Sequence, residues 1–276
     1  MVILDTASFV VGSYINFSMI RRLDPKVSFS DTLMLQYVNS LLNKILPTIG
    51  GGAAFRAYYL KKRYQFPLTQ FASTITGLYV ISFSTTSLIG ITCLLLIFQQ
   101  FHVFNWVIFL AFVGILLPTL AVVVFTPKVP ESNNRLLRTA KKMIDNWTVI
   151  KKEPKLVFGY MALTVLLLLL STGYTYIGYQ ALGVQTSFIP MLYLSSLGII
   201  MAFLNFTPDA IGVKEGIYVF SKNLVQIPQD ILVLGSLYLR GVSIASTLVL
   251  GGISYWILLR RLKLAGVNET PLHENP

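Results

Sequence analysis

Thr207-Pro208-Asp209-Ala210-Ile211-Gly212-Val213-Lys214-Glu215-Gly216 is a polar, helix-breaking run between two apolar arms, residues 188–206 and 217–227. It holds a proline, two glycines, two carboxylates and a lysine, and neither flank reads as a water-exposed loop. Inside a bilayer, non-helical backbone persists only where protein buries it or where it lines a wet cavity. Ionisable groups at that depth are costly and mark functional positions. A second break comes earlier, Pro47-Thr48-Ile49-Gly50-Gly51-Gly52-Ala53-Ala54-Phe55-Arg56. We expect the two breaks to face each other and to build one site.

The bulk composition calls for a membrane. Of 276 residues, 54% are hydrophobic and 12% charged, with a mean hydropathy of +0.68. A soluble domain carries about 25% charged residues. The net charge is +11, from 22 basic and 11 acidic residues, and the basic ones cluster beside apolar runs. That placement points to membrane topology and anionic lipid rather than nucleic acid, for which a basic patch with stacking aromatics is missing. The single cysteine, Cys93, lies in an apolar run, and His102 and His273 are far apart in sequence. No disulfide framework, metal site, cofactor or catalytic motif is expected. The N-terminus is apolar from its first residues and has no basic leader, so it reads as a retained span.

Five full spans are expected, at about residues 2–20, 68–98, 106–125, 156–179 and 231–259. The arm 32–46 before the earlier break is shorter than the 20 or so residues a crossing needs, and the arms on either side of each break pair up around it. They read as two re-entrant helical hairpins. Arg21 and Arg22, Lys61 to Arg63, eight Lys or Arg within 127–155, and Arg260 to Lys263 belong in the cytoplasm by the positive-inside rule. The links 99–105 and 180–187 carry no Lys or Arg and belong outside. The N-terminus is then outside and the C-terminus inside, in what is expected to be the plasma membrane. Within 127–155, Leu136, Leu137, Ala140, Met143, Ile144 and Trp147 recur at helical spacing, which suits a helix lying on an anionic leaflet or packed on the protein. Tyr58, Tyr59, Tyr64, Trp106, Tyr255 and Trp256 read as interface anchors.

The two halves match in inverted orientation. A shift of 161 residues places Pro47 on Pro208, Gly51 on Gly212, Pro67 on Pro228, Gly12 on Gly173 and Gly90 on Gly251. Inverted repeats with broken helices at corresponding places are a pattern of secondary transporters, whose site lies near the midplane. The expected fold is all-α and polytopic. One membrane domain covers residues 1–265: repeat one over 1–98, a linking span over 103–126, the basic cytoplasmic segment 127–155, and repeat two over 156–259. A polar tail over 266–276 is expected to be disordered.

The charges divide by need. A buried Arg240 requires a carboxylate, and Glu215 is the expected partner. That leaves Arg56, Lys44 and Lys214 for a ligand. Gly50, Gly51, Gly52 and Gly212 offer free backbone N–H groups at helix starts, which suit an anion, and an arginine fork suits phosphate. Pro47, Pro208, Asp209, Glu215 and Arg240 are assigned structural or gating roles. Asn39, Asn43 and Asn205 flank the tips and can bond freed backbone. Lys44 snorkelling to the interface and close helix packing at the triple glycine stay open as simpler roles. An anion with a long apolar tail, an anionic phospholipid or a polyprenyl phosphate, satisfies both the tips and the lipid around them.

Three stretches carry a family likeness: Leu46-Pro47 through Gly51, Gly52 and Arg56 to Tyr59-Leu60, then Thr207-Pro208 through Gly212-Val213-Lys214-Glu215-Gly216, then Leu237-Tyr238-Leu239-Arg240-Gly241. With these the chain resembles the lysylphosphatidylglycerol synthase transmembrane-region family, also described as flippase-like integral membrane proteins. The resemblance implies translocation of a lipid with a phosphate-bearing head group, aminoacyl-phosphatidylglycerol in the best-known branch, and it carries over Arg56, Glu215 and Arg240. Where the family usually has two glycines before the Gly-Val-basic-Glu run, this sequence has Asp209-Ala210. No soluble aminoacyltransferase domain is expected after the last span.

Three functions fit. The favoured one is a lipid flippase working by alternating access. The others are a membrane transferase or accessory protein acting on a lipid-linked intermediate, and a non-catalytic assembly factor. Paired carboxylates for acid–base work are not evident, since Asp209 and Glu215 flank a lysine with no histidine nearby. A lipid-modifying enzyme and a second copy of the chain are the candidate protein partners.

Overall fold

A computed structural model of the chain describes residues 1–46, 51–125, 141, 154–201 and 207–267. Pro47, Gly50, Asn205, the expected surface helix within 127–155 and most of the 266–276 tail lie outside the described residues. Regular structure among those described is entirely helical. In order it comprises α1 (Val2–Leu23), α2 (Phe29–Ile45), α3 (Gly51–Tyr64), α4 (Leu68–Phe101), α5 (Trp106–Phe125), α6 (Pro154–Ala181), α7 (Phe188–Met201), a 3₁₀ turn η1 (Pro208–Ala210), α8 (Val213–Phe220), α9 (Lys222–Val225) and α10 (Gln229–Val267).

Four of the described helices, α1, α4, α6 and α10, are long and apolar enough to cross a membrane. The 20-residue α5, with Pro118 inside it, is a shorter apolar helix. The chain is an all-α polytopic membrane protein. At 17 residues α2 is too short to cross, and α7 has 14 described residues.

Local chemistry sets the helix starts. Ser28 Oγ accepts from the Asp31 backbone N–H at 3.1 Å and starts α2. Asn105 Oδ1 accepts from the amides of Val107 and Ile108 and starts α5. Inside the long helices, Ser73, Thr74, Thr164 and Thr172 return their hydroxyls to the carbonyl four residues back. A polar side chain can therefore sit in an apolar span without an unmet donor.

Of three apolar clusters among the described residues, two occupy opposite ends of the bundle. One gathers Ile20, Val38, Tyr59, Leu60, Phe71 and Leu258, where the α2–α3 hairpin packs against the end of α1, the start of α4 and the end of α10. The other gathers Leu94, Phe112, Tyr193, Leu197, Tyr218 and Leu232, where α7 and α8 pack against the far end of α4 and the start of α10. Phe71 and Leu94 both lie on α4, about 35 Å apart along its axis. Each hairpin thus grips one end of the same long helices. Between the cores, α10 presses closely on α2: a Cβ at Gly251 would meet Leu41 and the Tyr37 carbonyl.

Two boundaries differ from the sequence-based expectation. The second arm of the later hairpin starts at Val213, because Lys214 and Glu215 form the first turn of α8 rather than part of a loop. That arm also breaks after α8, and Gln226, at φ 57°, ends α9 in the left-handed region.

Candidate functional site

The residues 207–216 run turns sharply without glycine at two of its three left-handed positions. Asp209 and Ala210 both have φ of 53°, and Gly212 has 83°. A left-handed residue with a Cβ costs roughly 1–2 kcal/mol. At Asp209 an ion pair accompanies that cost. Arg240 Nε lies 3.1 Å from Asp209 Oδ2, and Arg240 Nη2 donates to the Asp209 carbonyl at 3.3 Å.

Glu215 holds the other side of Arg240. Its Oε1 is 2.8 Å from Arg240 Nη2 and accepts from Ser236 Oγ at 2.9 Å. Its Oε2 accepts from the Gly212 amide at 2.8 Å, which caps α8 from within its own first turn. That amide is therefore taken by the protein. Arg240 is 8% exposed and sits between two carboxylates of the turn, as an arginine in apolar surroundings requires.

The turn meets the end of α2, which packs against η1. Lys44, in the last turn of α2, donates from Nζ to Ser243 Oγ on α10 at 2.7 Å. Lys214 lies with its Nζ 5.5 Å from the centre of the Tyr218 ring. Among the described residues, neither lysine has a carboxylate within ion-pair distance. Lys44, Lys214, Arg240, Asp209 and Asp5 line one cavity of about 320 Å³, with Tyr174, Ser195 and Ser243 among the hydroxyls in its wall. Asp5 comes from the first turn of α1 and accepts from Ser246 Oγ at 2.6 Å.

Arg56 is elsewhere. It is 7% exposed, and its Nη2 donates to Asn16 Oδ1 at 2.7 Å and its Nη1 to Gln36 Oε1 at 3.3 Å. Its guanidinium lies 5.5 Å from the centre of the Phe71 ring. These partners are neutral, and Arg56 does not line the cavity. Gly51 opens α3, and Gly52 packs so close to Asn39 that a Cβ would overlap its backbone. Asn43 Oδ1 accepts from the Gly52 amide at 3.0 Å, closing the start of α3.

Sequence reasoning passed over Asp5 and Asp31. Asp31 is 0% exposed and accepts from Tyr59 (3.0 Å), Tyr64 (2.5 Å), Arg63 (3.1 Å) and Arg261. It ties the base of the α2–α3 hairpin to the end of α10. Burial, and then the bond to Asp31, push the Tyr64 phenol above its ordinary pKa. Tyr59 is not an interface anchor, being fully buried with its hydroxyl on Asp31; Tyr58, Trp106 and Trp256 are exposed. The signal available in sequence was Ser28-x-x-Asp31, which reads as a helix cap and hides the second task of the carboxylate.

The sequence profile of the family described as the lysylphosphatidylglycerol synthase TM region matches residues 2–251. The chain belongs to that family. No curated protein and no solved structure matches it. Membership in the lysylphosphatidylglycerol synthase TM region family gives the chain a membrane lipid-related function and accords with its apolar helices. In this family member the cavity draws on α1, α2, α6, α7, η1, α8 and α10 together, so both hairpins contribute.

Proposed function

We propose that the protein translocates a phosphate-bearing lipid between leaflets, with the head group held among Lys44, Lys214 and Arg240. One observation carries this reading. Three cations from three separate helices converge on a polar cavity inside an apolar bundle, and two of them lack a carboxylate partner among the described residues. An unpaired ammonium in low dielectric is costly, and an anionic ligand offsets that cost. Acyl tails lying in the surrounding lipid complete such a ligand.

The arrangement of the hairpins supports alternating access. The basic ends of α3 and α10 meet at Asp31, with the end of α1 in the same core, which suits a cytoplasmic face in the plasma membrane. The α2–α3 hairpin is rooted there and the α7–α8 hairpin at the other end, so the two re-enter from opposite leaflets and meet at their tips. Rocking one repeat against the other then exposes the same cations to each side in turn. Arg56 belongs to the cytoplasmic half of the path, where its neutral partners leave its charge to an anionic head group.

The test is reconstitution into liposomes holding fluorescent phosphatidylglycerol or a labelled polyprenyl phosphate, with dithionite quenching of the outer leaflet. Wild type is expected to move at least one of them faster than empty liposomes. Lys44→Ala, Lys214→Ala, Arg56→Ala and Glu215→Ala are each expected to slow it about tenfold or more. Wild type indistinguishable from empty liposomes with both lipids, or Lys214→Ala and Lys44→Ala at the wild-type rate, refutes the proposal. Cysteines placed at 99–105 should label from outside only; labelling from the cytoplasm removes the opposed hairpins.

A further inference from the structure

The two carboxylates on Arg240 are held very differently. Glu215 is 12% exposed and is fixed by the Gly212 amide and the Ser236 hydroxyl as well as by Arg240. Asp209 is 31% exposed and faces the cavity. Among the described residues, Arg240 is the one group its carboxylate bonds. Asp209 shares the cavity wall with Lys44 and Lys214 as well as with Arg240. Its carboxylate therefore stands amid the three cations of the cavity, bonded to one of them.

That is the place a phosphate would take. A phosphate and a carboxylate compete for the same arginine fork, and both form charge-assisted bonds to it. The geometry points to Asp209 as the site's resident anion: it holds the Arg240 Nε in the empty cavity, is displaced by the head-group phosphate, and returns to expel it. The inference rests on the reading that the cavity takes a phosphate. Glu215 stays on Arg240 throughout, so the arginine is never left bare during the exchange. Without a competitor, three cations would hold a phosphate tightly and release it slowly. With one, affinity is lower and exit into the far leaflet is faster. Asp209 is thus a residue that sets affinity and release.

A residue of purely structural value would, on removal, weaken binding and turnover together. A resident anion splits them. Asp209→Asn and Asp209→Gly both remove the charge and both tolerate a φ of 53°, so the turn keeps its shape in at least one of them. The full-length protein in detergent is titrated with dihexanoyl-phosphatidylglycerol by calorimetry, and the same proteins are assayed in liposomes with fluorescent phosphatidylglycerol. Asp209→Asn and Asp209→Gly are expected to bind the probe about tenfold more tightly while the maximal translocation rate falls. If wild type binds the probe and neither neutral variant binds it more tightly, the inference is wrong and the translocation reading stands. If wild type neither binds nor moves the probe, the phosphate reading of the cavity fails and takes this inference with it.

Discussion

Lys44 Nζ donates to Ser243 Oγ across 2.7 Å, joining the last turn of the 17-residue α2 to the middle of the 39-residue α10. The bond is neutral on one side, so the charge of Lys44 is solvated only in part by the protein. What remains is available to a ligand in the same cavity as Asp209 and Lys214.

Removing that charge should cost function far more than stability. Lys44→Met keeps most of the apolar stem and deletes a partly buried ammonium whose desolvation opposes folding. The midpoint of thermal unfolding in detergent is expected to stay within a few degrees of wild type, while lipid translocation falls at least tenfold. Ser243→Ala removes one hydrogen bond of about 1 kcal/mol and should slow translocation only a few-fold. A Lys44→Met protein that transports normally would take Lys44 out of the site.

Glu215 and Arg240 should behave in the opposite way. Both are largely buried, and the pair is bonded at 2.8 Å. Glu215→Ala leaves the guanidinium with Asp209 alone and uncaps α8, so the expected loss is about 3–5 kcal/mol. Replacing both residues, as Glu215→Leu with Arg240→Met, removes the unpaired charge and should recover stability without recovering transport. Chemical denaturation in mixed micelles reads the first quantity and liposome assays the second. A double variant no more stable than Glu215→Ala would show that the pair does not act as a unit.

Asp31 is predicted to be the most sensitive acidic residue for folding. Asp31→Ala strips the acceptor from Tyr59, Tyr64, Arg63 and Arg261 at once and should cost about 3–5 kcal/mol. The Tyr64 phenol adds a pH signature. Its pKa in the folded protein lies above the ordinary 10.0, so its contribution is complete below that value and is lost as pH rises beyond it. Unfolding measured across the alkaline range should show stability falling above about pH 10, and Tyr64→Phe should flatten that fall. A Tyr64→Phe protein with an unchanged alkaline profile would exclude this coupling.

Much of the architecture was legible because the bilayer is an exacting solvent. A span needs about 20 apolar residues and charged ends need water, and both leave long marks in one dimension. The four long helices and the too-short α2 follow from run length and from Pro and Gly at the breaks. The need of Arg240 for a carboxylate was legible too, because a bare buried arginine is too costly to persist.

Other features were decided only by the packing of helices far apart in sequence. Asp5 enters the cavity because α1 lies against α2, α6 and α10, and nothing near Asp5 in the chain signals that. Arg56 and Lys214 both read as free cations, yet α1 and α2 draw Arg56 onto Asn16 and Gln36 while Lys214 is left facing the cavity. Asp31 reads as a cap and becomes a clamp once the ends of α3 and α10 arrive. The 207–216 run declares a break by its composition alone. Which of its carboxylates is locked and which faces the cavity depends on where Ser236 and Arg240 sit on α10. Local sequence determines where a chain must bend and what it must neutralise, whereas the choice among partners of the same charge belongs to tertiary packing.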